Sequence, residues 1–370
     1  MNRYKICVYA ISKNEEQFVD RWMDAVSEAD EVIVTDTGST DHTVEKLRKR
    51  GAIVYEESVS PWRFDTARNV AMDHVPEDAD ICVSNDLDEV FIPGWRKILE
   101  SSWKQDQTRA RYLFTFSMNP DGTPKKQYPM EKIHIRHGYR WIHPVHEILE
   151  YSGTIPEKSY WVNGLILNHE PDMTKPRSQY LPLLELSVKE NPLDDRAMFW
   201  LGREYVFHNE YDKAIETLKK HLSLPTARWA EERSASIRFI AHAYGEKKNK
   251  KEELSWLYRA LAECPVVREP YLALAKYGYL ERNWALCFAM AVKGLTIEES
   301  TGSYLVDPAI WGYALYDYAA ISAYRLGMYE TAGDYAKKAL KTDPENKRLQ
   351  SNLQLIQQKM KKEVAEEESS

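Results

Sequence analysis

The sequence ICVSNDLDE at residues 81–89 decides the predicted fold, because a short apolar run ends there in two carboxylates. The apolar run has the length and composition of a buried strand. Asp86 and Asp88 would then lie together at the rim of a sheet, where two charges about 4 Å apart repel by roughly 4 kcal/mol at an effective dielectric of about 20. A divalent cation between such a pair and an anionic ligand would relieve this repulsion. Aspartate pairs without a function are also common on protein surfaces, so the motif alone leaves both interpretations open.

Around this stretch, the first 120 or so residues alternate short apolar runs with amphipathic segments. The runs predict strands at 6–11, 31–35, 52–55 and 79–84. The segments between them predict helices at 14–27, 41–50 and 65–74. Strands separated by helices favour a mostly parallel sheet that is covered on both faces. We therefore predict an α/β domain over residues 1–175.

Polar clusters follow three of the predicted strands. They are SKNE at 12–15, DTGSTD at 36–41 and DLD at 86–88. Ligands of open α/β sheets bind at the carboxyl ends of the strands. Gly38 permits a tight turn, and the three residues after it can cap the next helix. This structural explanation does not account for Asp36, which could accept a hydrogen bond from a nucleobase or a ribose hydroxyl.

Two further clusters could carry chemistry. Arg68 lies about one turn inside a predicted helix, where it could contact a base or a phosphate, or form a salt bridge on the helix surface. The sequence HPVHE at 143–147 is not the HExxH of zinc proteases, and its proline argues against one helix presenting both histidines. His146 or Glu147 could remove a proton from an acceptor. A turn with backbone-bonded histidines explains the same residues equally well.

The remaining motifs narrow the class of enzyme. His169 closes an apolar run at 164–167, a position at which a lone histidine is more often structural than a ligand. The sequence contains no phosphate-binding P-loop, no dinucleotide-binding Gly-x-Gly-x-x-Gly, no serine-centred elbow and no kinase motif set. Several classes of enzyme are therefore excluded.

Composition indicates a globular chain with room for two domains. The 370 residues are 43% hydrophobic and 29% charged. A net charge of −7 argues against broad contact with nucleic acid. The four cysteines form no Cys-x-x-Cys pair, so neither a zinc site nor a disulfide framework is predicted. The N-terminus does not resemble a signal peptide and no apolar run is long enough for a membrane span, so we expect a cytoplasmic protein.

From about residue 180 the pattern changes to helices alone. Gly202, Ala241 and Ala275 begin helical segments at offsets of 39 and 34 residues, and Ala320 follows after 45 with an insertion near 298–307. A period near 34 with small residues, tyrosine and proline at regular positions is typical of tetratricopeptide repeats.

We predict about four such repeats over residues 176–360. The last residues, 361–370, are predicted to be a charged, frayed tail.

Taken in order, the motifs resemble those of family 2 glycosyltransferases with the GT-A fold. The matching segments are ISKNE at 11–15, DTGSTD at 36–41, FxxARN at 64–69, DLDE at 86–89, VHE at 145–147 and LNH at 167–169. With the helical repeats that follow, the order is similar to a bacterial subgroup that includes the sublancin-type peptide S-glycosyltransferases. The resemblance implies a Rossmann-like GT-A domain that binds a nucleotide sugar, followed by an all-α domain of tetratricopeptide-like repeats.

The resemblance also implies a role for each matched residue. The residues that would bind the donor are Ile11, Ser12, Asn14, Glu15, Asp36, Arg68, Asp86 and Leu87. Asp88 and His169 would hold a Mn²⁺ or Mg²⁺ ion, and Glu147 or His146 would accept the proton of the acceptor. Asn85 departs from the family pattern, in which a hydrophobic or small residue more often precedes the acidic pair.

The function that the resemblance implies is an inverting, metal-dependent transfer of a hexose, with glucose favoured, from a UDP-sugar. The concave repeats would hold a peptide or protein acceptor. A polysaccharide, a lipid-linked sugar or modified DNA as acceptor stays open, as does a degenerate transferase that acts as a binding scaffold. The repeats could also form a homodimer. Four tryptophans on them could be core, interface or substrate platform, with core expected for most: Trp229, Trp256, Trp284 and Trp311.

Overall fold

The computed structural model describes residues 4–172 and 180–367, and the chain divides into two compact units at residues 191 and 192. The predicted division at 175 and 176 falls earlier, because the helix at 180–190 belongs to the first unit. The described part of the predicted tail continues the last helix as far as Glu367, and residues 368–370 lie outside the described ranges.

The first unit is an α/β domain, as predicted. Its strands are β1 (Ile6–Ser12), β2 (Glu31–Asp36), β3 (Ile53–Glu56), β4 (Ile81–Ser84), β5 (Glu89–Phe91), β6 (Arg109–Met118), β7 (Pro124–His134), β8 (Tyr139–Ile142), β9 (Ile148–Tyr151) and β10 (Ser159–His169). Its helices are α1 (Val19–Ala25), α2 (Thr43–Lys49), α3 (Phe64–Asp73), α4 (Trp95–Ser102) and α5 (Tyr180–Glu190).

The main sheet has the strand order β3-β2-β1-β4-β7-β6-β10-β5, and β8 and β9 form a separate hairpin. Strands β1 to β4 pair in parallel, which confirms the predicted parallel sheet. Strand β7 is antiparallel to both β4 and β6, and β5 is antiparallel to β10. Since the chain runs from β1 outward to β3 and then returns to β4, the crevice between β1 and β4 is a topological switch point, where open sheets bind ligands.

The first helix begins at Val19, later than the predicted start at residue 14, because the loop after β1 bonds to the loop after β2. The Asn14 amide donates to Ser39 Oγ at 2.8 Å, and the Thr40 amide donates to Asn14 Oδ1 at 2.8 Å. Asn14 adopts a left-handed conformation with φ of 55°, which asparagine tolerates better than most residues. The two loops at the carboxyl ends of β1 and β2 therefore form one cross-linked surface.

Asn85 has a structural role that explains its departure from the family pattern. It is fully buried beside the core, and its Oδ1 accepts a hydrogen bond of 2.6 Å from Nε1 of the buried Trp22. A buried indole N–H requires such an acceptor. Trp22 on α1 is thereby tied to the end of β4, next to the acidic pair.

The second unit is helical, as predicted. Its helices are α6 (Asp195–Phe207), α7 (Tyr211–Ser223), α8 (Ala230–Glu246), α9 (Lys250–Glu263), α10 (Glu269–Leu280), α11 (Trp284–Leu295), α12 (Ala314–Arg325), α13 (Tyr329–Thr342) and α14 (Lys347–Glu367). A single 3₁₀ turn at Pro308–Trp311 lies in the segment between α11 and α12. Within the described ranges, no helix is both long enough and apolar enough to cross a membrane.

The small residues of the repeat pattern lie where helices approach closely. A Cβ atom added to Gly202 would come within 2.5 Å of Leu218 on the next helix, and Ala241 and Ala320 are fully or almost fully buried. Of the four tryptophans, Trp256 is buried, whereas Trp229 is 40% exposed and the other two are half-buried. Trp311 nevertheless packs against a core cluster, so the expectation that most of them belong to the core holds for two of the four, Trp256 and Trp311.

Replacing Asn85 by alanine should destabilise the first unit, because the buried indole N–H of Trp22 would lose its acceptor. An unsatisfied buried donor costs about 1–3 kcal/mol, and urea denaturation followed by circular dichroism measures the loss. The matched control is Asn119→Ala in the exposed turn between β6 and β7, where surface substitutions change stability by about 0.5 kcal/mol or less. Equal effects of the two substitutions would contradict the structural role of Asn85.

Candidate active site

The carboxyl ends of β1 and β2 place Ser12 next to Asp36, the last residues of the two strands. Asp36 is 2% exposed, and its carboxylate accepts four hydrogen bonds from the chain itself. Oδ2 accepts from Ser12 Oγ at 2.8 Å and from Ser39 Oγ at 2.5 Å, and Oδ1 accepts from the amides of Gly38 and Ser39. Asp36 therefore closes the turn at Gly38, whose φ of 107° favours glycine. This role was missing from the sequence interpretation.

Arg68 on α3 joins two predicted site carboxylates. Its Nη1 and Nη2 donate to the two oxygens of Asp86 at 2.6 and 2.9 Å, and its Nε donates to Glu147 Oε1 at 2.6 Å. The guanidinium also lies 5.1 Å from the ring centre of Trp141. Although burial works against its charge, the two carboxylates hold the pKa of Arg68 well above its usual value. The alternative of a salt bridge on the helix surface is wrong, because Arg68 is 6% exposed and turns to the rim of the sheet.

Lys132 on β7 is a second cation at Asp86, and the sequence interpretation missed it. Its Nζ lies 3.1 Å from Asp86 Oδ2 and 2.9 Å from Glu89 Oε1. Strand β7 pairs with β4 so that Ile133 lies opposite Val83, which brings Lys132 to the end of β4. No local signal in the sequence indicates this pairing, since 46 residues separate Lys132 from Asp86.

The cations around Asp86 shape its ionisation and that of its neighbour Glu89. Burial disfavours the charged form of Asp86, but Arg68 and Lys132 hold its pKa well below the usual range. Burial raises the pKa of Glu89, partly against the effect of Lys132. Glu89 Oε2 also accepts a hydrogen bond of 3.0 Å from the Asp86 amide, and this bond stabilises the loop after β4.

Asp88 and His169 lie together on the other side of this loop. Asp88 Oδ2 is 3.3 Å from His169 Nε2, and the backbone amide of Glu170 donates to the Asp88 carbonyl at 2.7 Å. The pairing of β5 with β10 sets this position, because His169 lies opposite Glu89. Burial lowers the pKa of His169, but the contact with Asp88 outweighs this and raises it above the usual value.

The Asp88–His169 pair fits a divalent cation. Two adjacent ligands at about 2.1 Å from an octahedral ion lie about 3 Å apart, close to the separation seen here. His169 Nδ1 lies 3.4 Å from the carbonyl of Phe116. A proton on Nδ1, donated to that carbonyl, would leave the Nε2 lone pair for a metal ion, as is usual for metal-binding histidines.

The segment 143–147 is held against α3 by the FxxARN sequence at 64–69. The Phe64 amide donates to the Pro144 carbonyl at 2.9 Å. The Asn69 side chain both donates to the Trp141 carbonyl at 2.8 Å and accepts from its amide at 2.9 Å. These bonds align the segment so that Glu147 meets Arg68.

Both histidines of this segment adopt left-handed backbone conformations, with φ of 76° for His143 and 54° for His146. Such conformations are uncommon for residues other than glycine and often occur at functional sites. The ring of His146 also contacts Tyr180 at 5.6 Å between centres. Residues 143–147 therefore form a turn, which is the structural interpretation of this segment. The turn also brings Glu147 to the predicted site.

Two predicted donor residues offer little side chain to a ligand. Leu87 is 2% exposed and packs in the core beneath the sheet, so only its backbone can reach a donor. Ile11 is half-buried and packs on the smaller core cluster. Asn14 and Glu15, in contrast, lie in the cross-linked loops at the sheet edge.

Comparison with protein families gives three matches. Residues 7–151 match the model described as glycosyl transferase family 2. Residues 195–226 match a tetratricopeptide repeat, and residues 314–365 match the Fis1 C-terminal tetratricopeptide repeat. The first match covers the candidate site from Ile11 to Glu147 but ends before β10 and His169, and the other two lie in the helical unit.

Two of the solved structures similar to the chain have low sequence identity and low TM-scores. A MamA crystal structure is 19% identical, with 45% of this chain and 87% of that chain covered and a TM-score of 0.36. A thermophilic tetratricopeptide-repeat protein of Thermus thermophilus is 21% identical, with 48% and 88% covered and a TM-score of 0.33. No curated protein matches the chain.

Replacing Lys132 by methionine should destabilise the chain by about 3–5 kcal/mol, because the buried Glu89 carboxylate would lose its cation. Adding Glu89→Gln should restore much of the loss, since the amide keeps an acceptor for the Asp86 amide and carries no charge. Urea denaturation without ligands measures both effects.

The matched control is Lys158→Met, which removes an ion pair with Asp106 that is about half exposed. Exposed pairs contribute about 0–1 kcal/mol, so this variant should remain close to the parent. If Lys132→Met were as stable as Lys158→Met, the role of Lys132 as a buried counterion would be wrong.

Proposed function

Because the chain is a family 2 glycosyltransferase with C-terminal tetratricopeptide repeats, we propose that it transfers a hexose from a UDP-sugar with inversion. The observation that carries this proposal is the arrangement at the carboxyl ends of β1, β2 and β4. There Arg68 links Asp86 to Glu147, and Asp88 lies beside His169.

The loops after β1 and β2 form the proposed uridine site. Asn14 and Glu15 lie in these loops, and the buried Ser12 donates to Asp36 at their base; Ile11 lies beside Ser12 at the end of β1, and the backbone of Leu87 would reach the donor from the loop after β4. Asp36 already accepts four hydrogen bonds, so it holds the shape of the pocket. A direct bond from Asp36 to the uracil or the ribose requires that the Ser12 or Ser39 hydroxyl turn toward another partner.

The loop after β4 forms the proposed diphosphate site. Arg68 and Lys132 hold Asp86 rigidly by charge-assisted hydrogen bonds, which are stronger than neutral ones. A Mn²⁺ or Mg²⁺ ion held by Asp88 and His169 would supply Lewis-acid neutralisation of the leaving diphosphate. The protein's own contribution is to orient Asp88 through its carbonyl bond to Glu170 and to orient His169 through Phe116.

Glu147, or its neighbour His146, is the proposed proton acceptor. The hydrogen bond from Arg68 Nε fixes Oε1 of Glu147, so the other carboxylate oxygen of Glu147 can face an incoming nucleophile. Attack on the anomeric carbon from the face opposite the diphosphate forms the new bond, breaks the bond to UDP and passes the acceptor's proton to this base. One displacement of this kind inverts the anomeric configuration.

The proposed acceptor is a peptide or protein, held by the helical repeats. Stacked repeats build concave surfaces that suit extended peptides, and the motif order is similar to the sublancin-type peptide S-glycosyltransferases. Glucose is the favoured sugar on the same ground. The repeats could also form a homodimer. If the acceptor were instead a polysaccharide, a lipid-linked sugar or modified DNA, the chemistry proposed at the carboxyl ends of β1, β2 and β4 would be the same.

Replacing Asp88 by alanine should reduce hydrolysis of UDP-glucose about a hundredfold or more, because loss of metal binding removes several kcal/mol of charge stabilisation. EDTA should reduce the parent to a similar level. The matched control is Asp78→Asn. Asp78 is an exposed carboxylate just before β4 begins, at the end of the strand away from the candidate site, so this variant should keep full turnover.

Full metal-dependent turnover by Asp88→Ala would show that the metal assignment is wrong. A thermal-shift titration with UDP and Mn²⁺ distinguishes an active transferase from a degenerate one that acts as a binding scaffold. If the parent protein shows neither a shift nor turnover, the proposed transfer activity fails and the binding scaffold replaces it.

Replacing Glu147 by glutamine should lower kcat by about 10²–10⁴ with a hydroxyl acceptor, because the general base is lost. The amide keeps an oxygen for Arg68, so the fold of the site is preserved. With a thiol acceptor the loss should be smaller, since a free thiol has a pKa of about 8.5 and ionises without help. The pH profile of kcat for Glu147→Gln and His146→Gln identifies the base, and full rates in both variants would exclude both residues.

A further inference from the structure

A cluster of metal-binding side chains lies within the second unit. Asp195 lies in the first turn of α6, His221 in the last turn of α7 and Glu232 in the first turn of α8. One ligand atom from each side chain lies within 4.8 Å of the other two. Three consecutive helices therefore direct two carboxylates and an imidazole toward one point.

The imidazole nitrogen that faces this point is buried and forms no hydrogen bond. His221 is fully buried, and its Nε2 has no hydrogen-bond partner in the described part of the chain. The nearest carboxylate atom is Glu232 Oε1, at 3.4 Å. Leaving a buried polar atom unsatisfied costs about 1–3 kcal/mol, so the geometry points to a ligand for this nitrogen.

Both buried members of the cluster have partners on their other polar atoms. His221 Nδ1 lies 2.9 Å from Ser236 Oγ on α8. Glu232 Oε2 accepts from the Tyr304 hydroxyl at 2.8 Å. Burial and the neighbouring Glu232 raise the pKa of Tyr304, so the phenol keeps the proton that it donates. Outer hydrogen bonds of this kind orient the ligands in protein metal sites.

We propose that Asp195, His221 and Glu232 bind one divalent transition-metal ion, for which Zn²⁺ is the probe. One imidazole nitrogen and two carboxylate oxygens form a donor set that Zn²⁺ and neighbouring ions accept. A divalent ion balances both carboxylate charges.

The proposed ion would connect more than the three helices. Tyr304 belongs to the insertion between α11 and α12, and its ring stacks on Trp200 of α6 at 5.6 Å between centres. Ser303 in the same insertion donates to Glu231 Oε2 at 2.6 Å. Metal binding at Glu232 would thus stabilise both the first repeat helices and the insertion that reaches them.

The experiment uses the 370-residue chain with Asp88→Ala and His169→Ala, which remove the other candidate cation site. After chelation and desalting, this double variant, the parent of the variants below, should take up about one equivalent of Zn²⁺, measured by elemental analysis after dialysis. Its thermal midpoint should rise with Zn²⁺. Uptake of far less than one equivalent without a shift would overturn the proposal and leave the ion pair as the explanation of the cluster.

Two variants in the same background locate the ion. Asp195→Asn, at a half-buried position, and His221→Gln should each weaken Zn²⁺ binding more than the 10–100-fold that loss of an outer partner costs. Glu216→Gln is the matched control, because its exposed carboxylate on α7 pairs with Lys220 and does not belong to the cluster, and it should keep the affinity of the parent.

Since His221 is fully buried, its variant could unfold, and Asp195→Asn then decides the outcome. Zn²⁺ affinity at the level of the parent in Asp195→Asn would place the ion elsewhere and overturn the proposal.

Discussion

The three hydrogen bonds from the Arg68 guanidinium to Asp86 and Glu147 are the interaction on which the rest of the candidate site depends. They join helix α3, the loop after β4 and the segment between β8 and β9. A buried guanidinium that lost its carboxylate partners would be strongly destabilising, at about 3–5 kcal/mol. The same requirement that keeps Arg68 paired therefore brings the acidic motif and the candidate base to one place.

Charge compensation extends from this centre through Lys132 to Glu89. Arg68 of α3 and Lys132 of β7 pair with Asp86 and Glu89 in a largely buried network around the loop after β4, beside the Asp88–His169 pair. A nucleoside diphosphate arriving there would meet groups already fixed in position, so little reorganisation would be needed. Preorganised charges of this kind are the usual source of electrostatic stabilisation in enzymes.

Several residues show how far sequence reasoning reached. Strand and helix patterns predicted the parallel sheet and the repeats, and the ordered motifs marked Arg68, Asp86, Asp88, Glu147 and His169. The structure adds reasons that no pattern contained. Asp36 closes its own turn, and Asn85 accepts from Trp22 across 63 residues. The bonds from Ser12 to Asp36 and from Trp22 to Asn85 form only when strands pair and helices pack, whereas the bonds from Gly38 and Ser39 to Asp36 are local.

The sequence by itself determined the first four strands, the helices between them and the helical repeats, because periodicity, turn residues and caps act over a few neighbouring residues. Only the tertiary structure decided which distant groups share a site. Arg68 reaches Glu147 over 79 residues, Lys132 reaches Asp86 over 46, and Tyr304 reaches Glu232 over 72. Strand register and helix packing set these contacts, and neither can be read from local sequence, because both depend on the burial of the whole core.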